Sequence, residues 1–489
     1  MSKASEPAQL PEAVEYPIPP ALEAALGPGW VAHELAGVSF GDKRLVRRSY
    51  QILDSFFAQP AASIPQACGS VAAAKATYNF FDNFSVYSEE ILNSHAKQTL
   101  ERMRSAGVVL AVNDTTTISH ERHPTLQGMG PVNREADHAR GYFLHATLAV
   151  TTQGVPLGIL QALVWAREAE EAGSAKRRRK RPIEEKESYK WLESYQACQA
   201  VQAQLPETSL VQVGDRESDI YELFELAAAT PAGPHLLIRA EQDRNLLADG
   251  GLHLWDCLGQ QAIAGTITVD VTARPKRPAR QAVVAVRFAA VHLRPPRNGK
   301  ETHPRLPISL WAVWAEEQQP PPGVEPISWM LLTTLPVTSF EQAVEKIQWY
   351  CLRWEIEVFH KVIKSGCRVE ERRLNDFVKH KRCLAFDLLV AWRIQLLTKL
   401  NRETPQLPAL TVFSQEEVEA LYAVDQQQAI PPPPDLTLGE AIRMVAKLGG
   451  FLGRKGDGHP GTVTIWRGLQ RLKDITFGWR LARAGLPPP

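Results

Sequence analysis

The chain has 489 residues, 44% of them hydrophobic, enough for two or three domains around a large core. Lys plus Arg number 55 against 54 Asp plus Glu, so the net charge is +1; chain-wide basic charge is excluded as a driver of nucleic-acid binding, which would have to rest on local basic surfaces. The cysteines at positions 68, 198, 257, 351, 367 and 383 include no C-x2-C pair, which argues against a zinc site or a disulfide framework.

Residues 1–27 are rich in Pro, Ala and Glu and are expected to be loosely ordered. From Trp30 to about Gly107 the pattern is helical. Leu45, Val46, Ile52, Leu53 and Phe56 give an apolar face, Lys43, Arg44, Arg47 and Arg48 cluster at its start, and Val71 to Phe81 reads as a second, alanine-rich helix. On pattern alone this is an ordinary helical bundle with a charged surface.

Strands follow. Val108 to Val112 is a short apolar run ending in Asn113-Asp114-Thr115-Thr116. Gly141 to Val150 and Val155 to Trp165 are joined by a hairpin-like turn. The run from Lys176 to Arg181 is the densest basic segment, of a kind that orders against phosphates. Glu185 to Leu205 reads as a helix. Ser209 to Val213 reads as a strand ending in Gly214-Asp215-Arg216-Glu217, and Ser218 and Asp219 offer caps for a helix over Ile220 to Ala229. His235 to Ala240 is a further strand, and residues 241–340 are mostly strands and Pro-rich turns, as in Thr266 to Thr272 and Gln281 to Leu293.

Residues 376–489 return to helix, broken by four consecutive prolines within Ala429 to Asp435. The most apolar helical stretch, Leu384 to Leu400, is interrupted by Asp387 and Arg393, and no signal-peptide pattern opens the chain; a cytoplasmic protein without membrane spans is expected. Residues 462–483 set Val463, Ile465, Trp466, Leu469, Leu472, Ile475 and Trp479 among basic residues. That face reads either as an interface or as a helix docked on its own core.

Tyr350, Arg353, Glu357 and Lys364 have the spacing Y-x2-R-x3-E-x6-K. On one regular helix they and Lys361 share a polar stripe about 80° wide. Val344, Ile347, Cys351, Leu352, Ile356, Phe359, Val362 and Ile363 form the apolar back, with Glu355 as an exception on that side. The stripe also reads as a solvated face with ion pairs such as Glu357 with Lys361. Asp114 and Asp215 each follow an apolar strand, where a carboxylate is costly unless paired or metal-bound, although a turn residue or helix cap is the commoner role. Asp114, Asp215 and Glu357 together would make an oxygen-rich set suited to Mg2+ or Mn2+ and to in-line displacement at phosphorus.

The combination resembles the insertion-sequence-four family of bacterial cut-and-paste DDE transposases. It extends through D-T-T at Asp114, G-Y-F-L-H-A at Gly141, E-K-E-S-x-K-W-L at Glu185, D-R-E-x-D-I at Asp215, W-x-L-L-T at Trp329, the Y-R-E-K row with F-H-K at Phe359, and L-G-G-F at Leu448. The blocks run in the family's order over nearly the whole chain. The resemblance implies an RNase H-like mixed sheet within residues 108–375, with a β-rich insertion at about 241–340. It also implies a helical DNA-binding domain over 28–107 and a helical dimerisation region over 376–489.

Asp114, Asp215 and Glu357 would be the catalytic, metal-holding acids with two Mg2+ ions. The partners would be double-stranded DNA, as transposon inverted-repeat ends and target, and a second copy of the chain. Tyr350, Arg353, Lys361 and Lys364 would grip backbone phosphates. Trp329 would stack on an extruded base and Trp354 would enter the gap it leaves, although core packing is the plain reading of either tryptophan. Arg239 matches a basic position near DNA, with a buried structural arginine as its alternative. A metal-dependent nuclease on the same fold and a binding-only regulator of transposon ends are the other functional classes.

Overall fold

The structure, a computed structural model, describes residues 20–120, 126–132, 139–168, 182–247, 251–271, 279–296 and 305–485. The basic run from Lys176 to Arg181 lies outside the described residues. In chain order the helices α1 (Pro20–Leu26), α2 (Trp30–Glu34), α3 (Lys43–Ala58), α4 (Ile64–Cys68), α5 (Val71–Asp82) and α6 (Ser88–Met103) precede the strands β1 (Val108–Ser119), β2 (Gly130–Pro131), β3 (Arg140–Thr151) and β4 (Pro156–Trp165). Then come α7 (Lys190–Gln202), β5 (Ser209–Gly214), α8 (Tyr221–Ala228), β6 (His235–Arg239), α9 (Leu254–Gly259), β7 (Gly265–Val271), β8 (Arg280–Leu293), β9 (Ile308–Glu317) and β10 (Ser328–Thr333). The chain ends in α10 (Phe340–Cys351), α11 (Trp354–Lys361), α12 (Phe377–Glu403), α13 (Gln415–Gln426), α14 (Leu438–Leu448) and α15 (Thr462–Arg483). Over their described residues, Val108–Asn113 and Arg178–Trp354 form one compact unit, and Glu15–Gly107, Asp114–Arg177 and Glu355–Pro489 form another.

The first unit is built on a sheet. The opening of β1 pairs in parallel with β5, from Val108 opposite Ser209 to Val112 opposite Val213, and β5 pairs in parallel with β6. Runs such as V-V-L-A-V take this place because parallel strands are buried on both faces. Residues 241–340 are not set apart from this sheet: β10 returns antiparallel to β6, with Leu331 opposite Arg239, and β9, β8 and β7 follow outward in antiparallel order. Trp191, Tyr195, Phe224, Leu310, Met330 and Leu332 share the core on the face covered by α7, α8 and α9.

In the second unit β3 and β4 form a hairpin whose turn needs the left-handed Gly154 (φ 88), and α12 packs against α6 and β4. α12 is buried on nearly every side, so its polar residues must find partners inside. Asp387 pairs with Arg372 at 2.6 Å, Trp392 Nε1 donates to the Pro156 carbonyl at 3.0 Å, and Arg393 donates to the carbonyls of Ala25 and Leu26. These last bonds account for α1, which buries Leu22, Ala25 and Leu26. The loosely ordered segment expected over 1–27 therefore does not extend through Pro20–Leu26.

A buried charge network ties α2, α6 and β4. Glu34 accepts from Arg102 at 2.7 Å and from His95 Nδ1 at 2.6 Å; because His95 Nε2 accepts from the Ile159 N–H at 3.0 Å, the ring proton must sit on Nδ1. Elsewhere in the unit, α14 and α15 cross closely. A Cβ at Gly468 would stand 1.8 Å from the Val445 carbonyl oxygen, and one at Gly449 1.8 Å from that of Thr464. Of the face read either as an interface or as a docked helix, Ile465, Trp466, Leu469 and Leu472 are buried on their own unit, Val463, Ile475 and Trp479 are half-buried, and Phe477 is 54% exposed.

Candidate active site

In the first unit, the β1–β5 register brings Val112 opposite Val213, and Asp215 follows two residues after Val213. β5 ends at Gly214, where a Cβ would meet the Ser218 hydroxyl at 2.2 Å, so only glycine permits the tight turn that follows. Asp215 caps that turn, its Oδ1 accepting from the Glu217 N–H at 2.9 Å. Burial raises the Asp215 pKa, helped by the Glu217 carboxylate; the Glu217 N–H, Arg353 and Lys190 oppose the rise without cancelling it.

Asp219 does not cap a helix. Its buried carboxylate accepts from the N–H groups of Glu241 and Gln242, both at 2.8 Å, and from Arg244 Nε at 2.9 Å and Nη2 at 2.5 Å. It thereby ties the turn after β5 to the turn after β6. Arg239, at the end of β6, is half-buried and donates to the Ser328 carbonyl at 3.0 Å. Trp329 is half-buried on β10, its ring 6.2 Å from that of Tyr350.

The Y-R-E-K row is not on one regular helix, which corrects the expectation. α10 tightens at its end: Leu352 N–H reaches both Gln348 and Trp349 carbonyls, and Arg353 N–H bonds Tyr350 one residue short of the α pattern. α11 then runs to Lys361, and Val362–Gly366 widens into a π-turn closed by Cys367 N–H on the Val362 carbonyl at 2.9 Å. The 100° rule therefore fails before Arg353 and again before Lys364. Tyr350 is only 6% exposed, not an open member of a polar stripe, whereas Trp354 is 49% exposed. Cys351, placed on the apolar back by periodicity, is exposed.

In the second unit, Asp114 is not at a strand end: β1 continues through it to Ser119. Past Val112 the strand runs beside β3, where His120 N–H donates to the Arg140 carbonyl at 2.8 Å and Gly141 leaves room for the Ile118 carbonyl. Asp114 Oδ1 accepts from Thr115 N–H at 2.7 Å, and Thr115 Oγ1 lies 2.9 Å from His145 Nδ1. Glu357 and Lys364 are half-buried and Lys361 is exposed. Glu355, the exception on the apolar side, is explained by α12: Lys399 lies 2.7 Å from it and Gln395 Nε2 donates to it at 3.0 Å.

All six cysteines are free thiols. Among the described residues, no three His, Cys, Asp or Glu side chains are grouped closely enough to hold a metal ion, and no helix is long and apolar enough to cross a membrane. Asp114, Asp215 and Glu357 each offer only carboxylate oxygen, the donor type that a hard divalent cation takes.

Two family models match this chain. Residues 28–86 match the transposase DNA-binding family, and residues 389–486 match the transposase Tn5 dimerisation domain. Together they support a Tn5-like DNA transposase that binds DNA and pairs with a second copy. Among solved structures, the chain is similar to one in a cryo-EM structure of the piggyBac transposase synaptic complex with hairpin DNA, with 7% identity and a TM-score of 0.37 over 97% of this chain and 83% of that one. That likeness is too distant to argue from.

Proposed function

We propose that this chain is a cut-and-paste DDE transposase of the insertion-sequence-four type, acting on transposon ends and target DNA. Water frees a 3'-OH, the hydroxyl attacks the opposite strand to give a hairpin, water reopens it, and the 3'-OH attacks target DNA. All four steps are phosphoryl transfers and need no covalent enzyme intermediate. The carrying observation is the pair of family matches, one for DNA binding and one for dimerisation, on either side in sequence of the β1–β5 register that leads into Asp114 and Asp215.

Asp114, Asp215 and Glu357 are the acids that would hold two Mg2+ ions, with Mn2+ as a substitute. When bound, such ions activate the attacking oxygen and stabilise the leaving one. Arg353, Lys361 and Lys364 hold backbone phosphates. Trp329, backed by the buried Tyr350, offers a stacking face for an extruded base, and Trp354, 49% exposed, would enter the gap that base leaves. Arg239 is assigned to aligning β6 with β10 through Ser328 as much as to DNA. On this reading the fold is RNase H-like and the protein is a cytoplasmic bacterial one.

Asp215→Asn is the test. It should abolish strand cleavage in Mg2+ and in Mn2+ while DNA binding in a gel-shift assay survives. Cleavage at near the unmodified rate would sink the assignment.

A further inference from the structure

Asp114 stands where β1 loses its apolar character. The pairing with β5 ends at Val112, and the chain continues as Asn113-Asp114-Thr115-Thr116-Thr117. Asn and Asp are poor strand formers, so an extended backbone here depends on what holds it. Thr115 supplies two holds. Its N–H donates to Asp114 Oδ1 at 2.7 Å, and its Oγ1 lies 2.9 Å from His145 Nδ1. A hydroxyl both donates and accepts, so the second bond forms with either tautomer of the imidazole.

His145 is a firm anchor. It is fully buried in the middle of β3, which has β1 on one edge and β4 on the other, with Leu163 as its β4 partner. Successive strand side chains point to opposite faces. Thr115 and His145 therefore meet on one face of the sheet, and Asp114 projects to the other, where Tyr142 of β3 meets Phe377 of α12 with ring centroids 5.6 Å apart. The bond from Thr115 to His145 thus fixes the acid from the back of the sheet.

We propose that Thr115 and His145 are positioning residues for Asp114: the hydroxyl–imidazole bond sets the backbone from which the Thr115 N–H orients the carboxylate toward a divalent cation. This rests on the metal-dependent transposase reading above.

The test is Mn2+ binding to the full chain, followed as loss of the free-ion electron paramagnetic resonance signal, with thermal melting alongside. Asp114→Asn, Thr115→Val, Thr115→Ala and Thr115→Ser are compared with the unmodified protein. Valine keeps the branched shape and strand preference of threonine and lacks the hydroxyl. Alanine lacks the hydroxyl and adds no bulk. Both should weaken Mn2+ binding by about 10- to 100-fold, the range for removing a group that orients a metal ligand. Thr115→Ser keeps the hydroxyl and should bind as the unmodified chain does. Unchanged affinity in Thr115→Val or Thr115→Ala overturns the proposal, whether or not that protein melts earlier. So does a Thr115→Ser protein that binds as weakly as Thr115→Val, since the methyl group and not the hydroxyl would then matter. Failure of both hydroxyl-less forms to fold assigns the bond to stability alone and also overturns it. Loss in Asp114→Asn without loss in the Thr115 forms removes this inference and leaves the metal reading standing. Unchanged binding in Asp114→Asn overturns the metal reading itself, and the proposal with it.

Discussion

Asp219 and Arg244 meet at 2.5 Å just beyond Asp215 in the chain, and the aspartate has no solvent-exposed side-chain surface while the arginine keeps 13%. Removing the acid strands the guanidinium and two backbone N–H groups together. Asp219→Ala should therefore cost about 3 to 5 kcal/mol in urea unfolding, the range for breaking one side of a buried pair. Asp219→Asn keeps an acceptor oxygen and should cost less. A loss under about 1 kcal/mol for the alanine variant would mean the two turns are held by something else.

The Glu34 network predicts acid sensitivity. Burial alone would raise the Glu34 carboxyl, but Arg102 and His95 overcome it and hold it far below its ordinary 4.5; burial lowers His95 from 6.5 despite Glu34. Both folded pKa values are depressed, so in acid the unfolded chain binds more protons. Stability from His95 is complete above its unfolded pKa of 6.5 and falls below it; that from Glu34 is complete above 4.5 and falls with further acid. Urea midpoints should rise from about pH 4 to pH 7. Glu34→Gln should be less stable at neutral pH and should flatten the lower part of that rise; an equally steep profile would exclude the carboxylate as its source.

Trp329→Ala removes a stacking surface worth about 1 to 3 kcal/mol per base. Hairpin formation on an end substrate should slow more than the first nick. Equal slowing of both steps would make Trp329 a packing residue for Tyr350.

The close crossing of α14 and α15 means that deleting residues 460–489 would strip Ile465, Trp466 and Leu472 from the core, so truncation cannot isolate dimerisation. Phe477→Glu is the cleaner probe. Phe477 lies in the matched dimerisation segment and is 54% exposed, so the change should shift monomer stability by no more than about 0.5 kcal/mol. Light scattering with DNA should report loss of the paired complex; pairs that persist would place the interface elsewhere.

Most strands were legible because their signals are local. Apolar runs and flanking turn residues place β3, β4, β5 and β6 to within a residue or so of their observed bounds. Three features were not. Asn113 to Ser119 is polar and resembles a turn, yet β3 beside it keeps β1 extended. The tightening at Leu352 and Arg353 involves neither proline nor glycine, and the π-turn over Val362–Gly366 carries its glycine only at its last residue, so periodicity runs through both. Glu355 looks misplaced until Gln395 and Lys399 are known to approach it from a distant part of the chain. For the polar end of β1 and for Glu355 the missing information is a partner remote in sequence.

The antiparallel pairing of β10 with β6 makes residues 241–327 impossible to excise cleanly. A short linker in their place would remove β9, β8 and β7 and leave β10 as a raw sheet margin with unpaired N–H and C=O groups, open to strands of other molecules. It would also slacken the segment that feeds into α10, and with it the placement of Tyr350 and Arg353. Miniaturised forms of this protein made by trimming that region should therefore collect in the insoluble fraction before their chemistry can be measured.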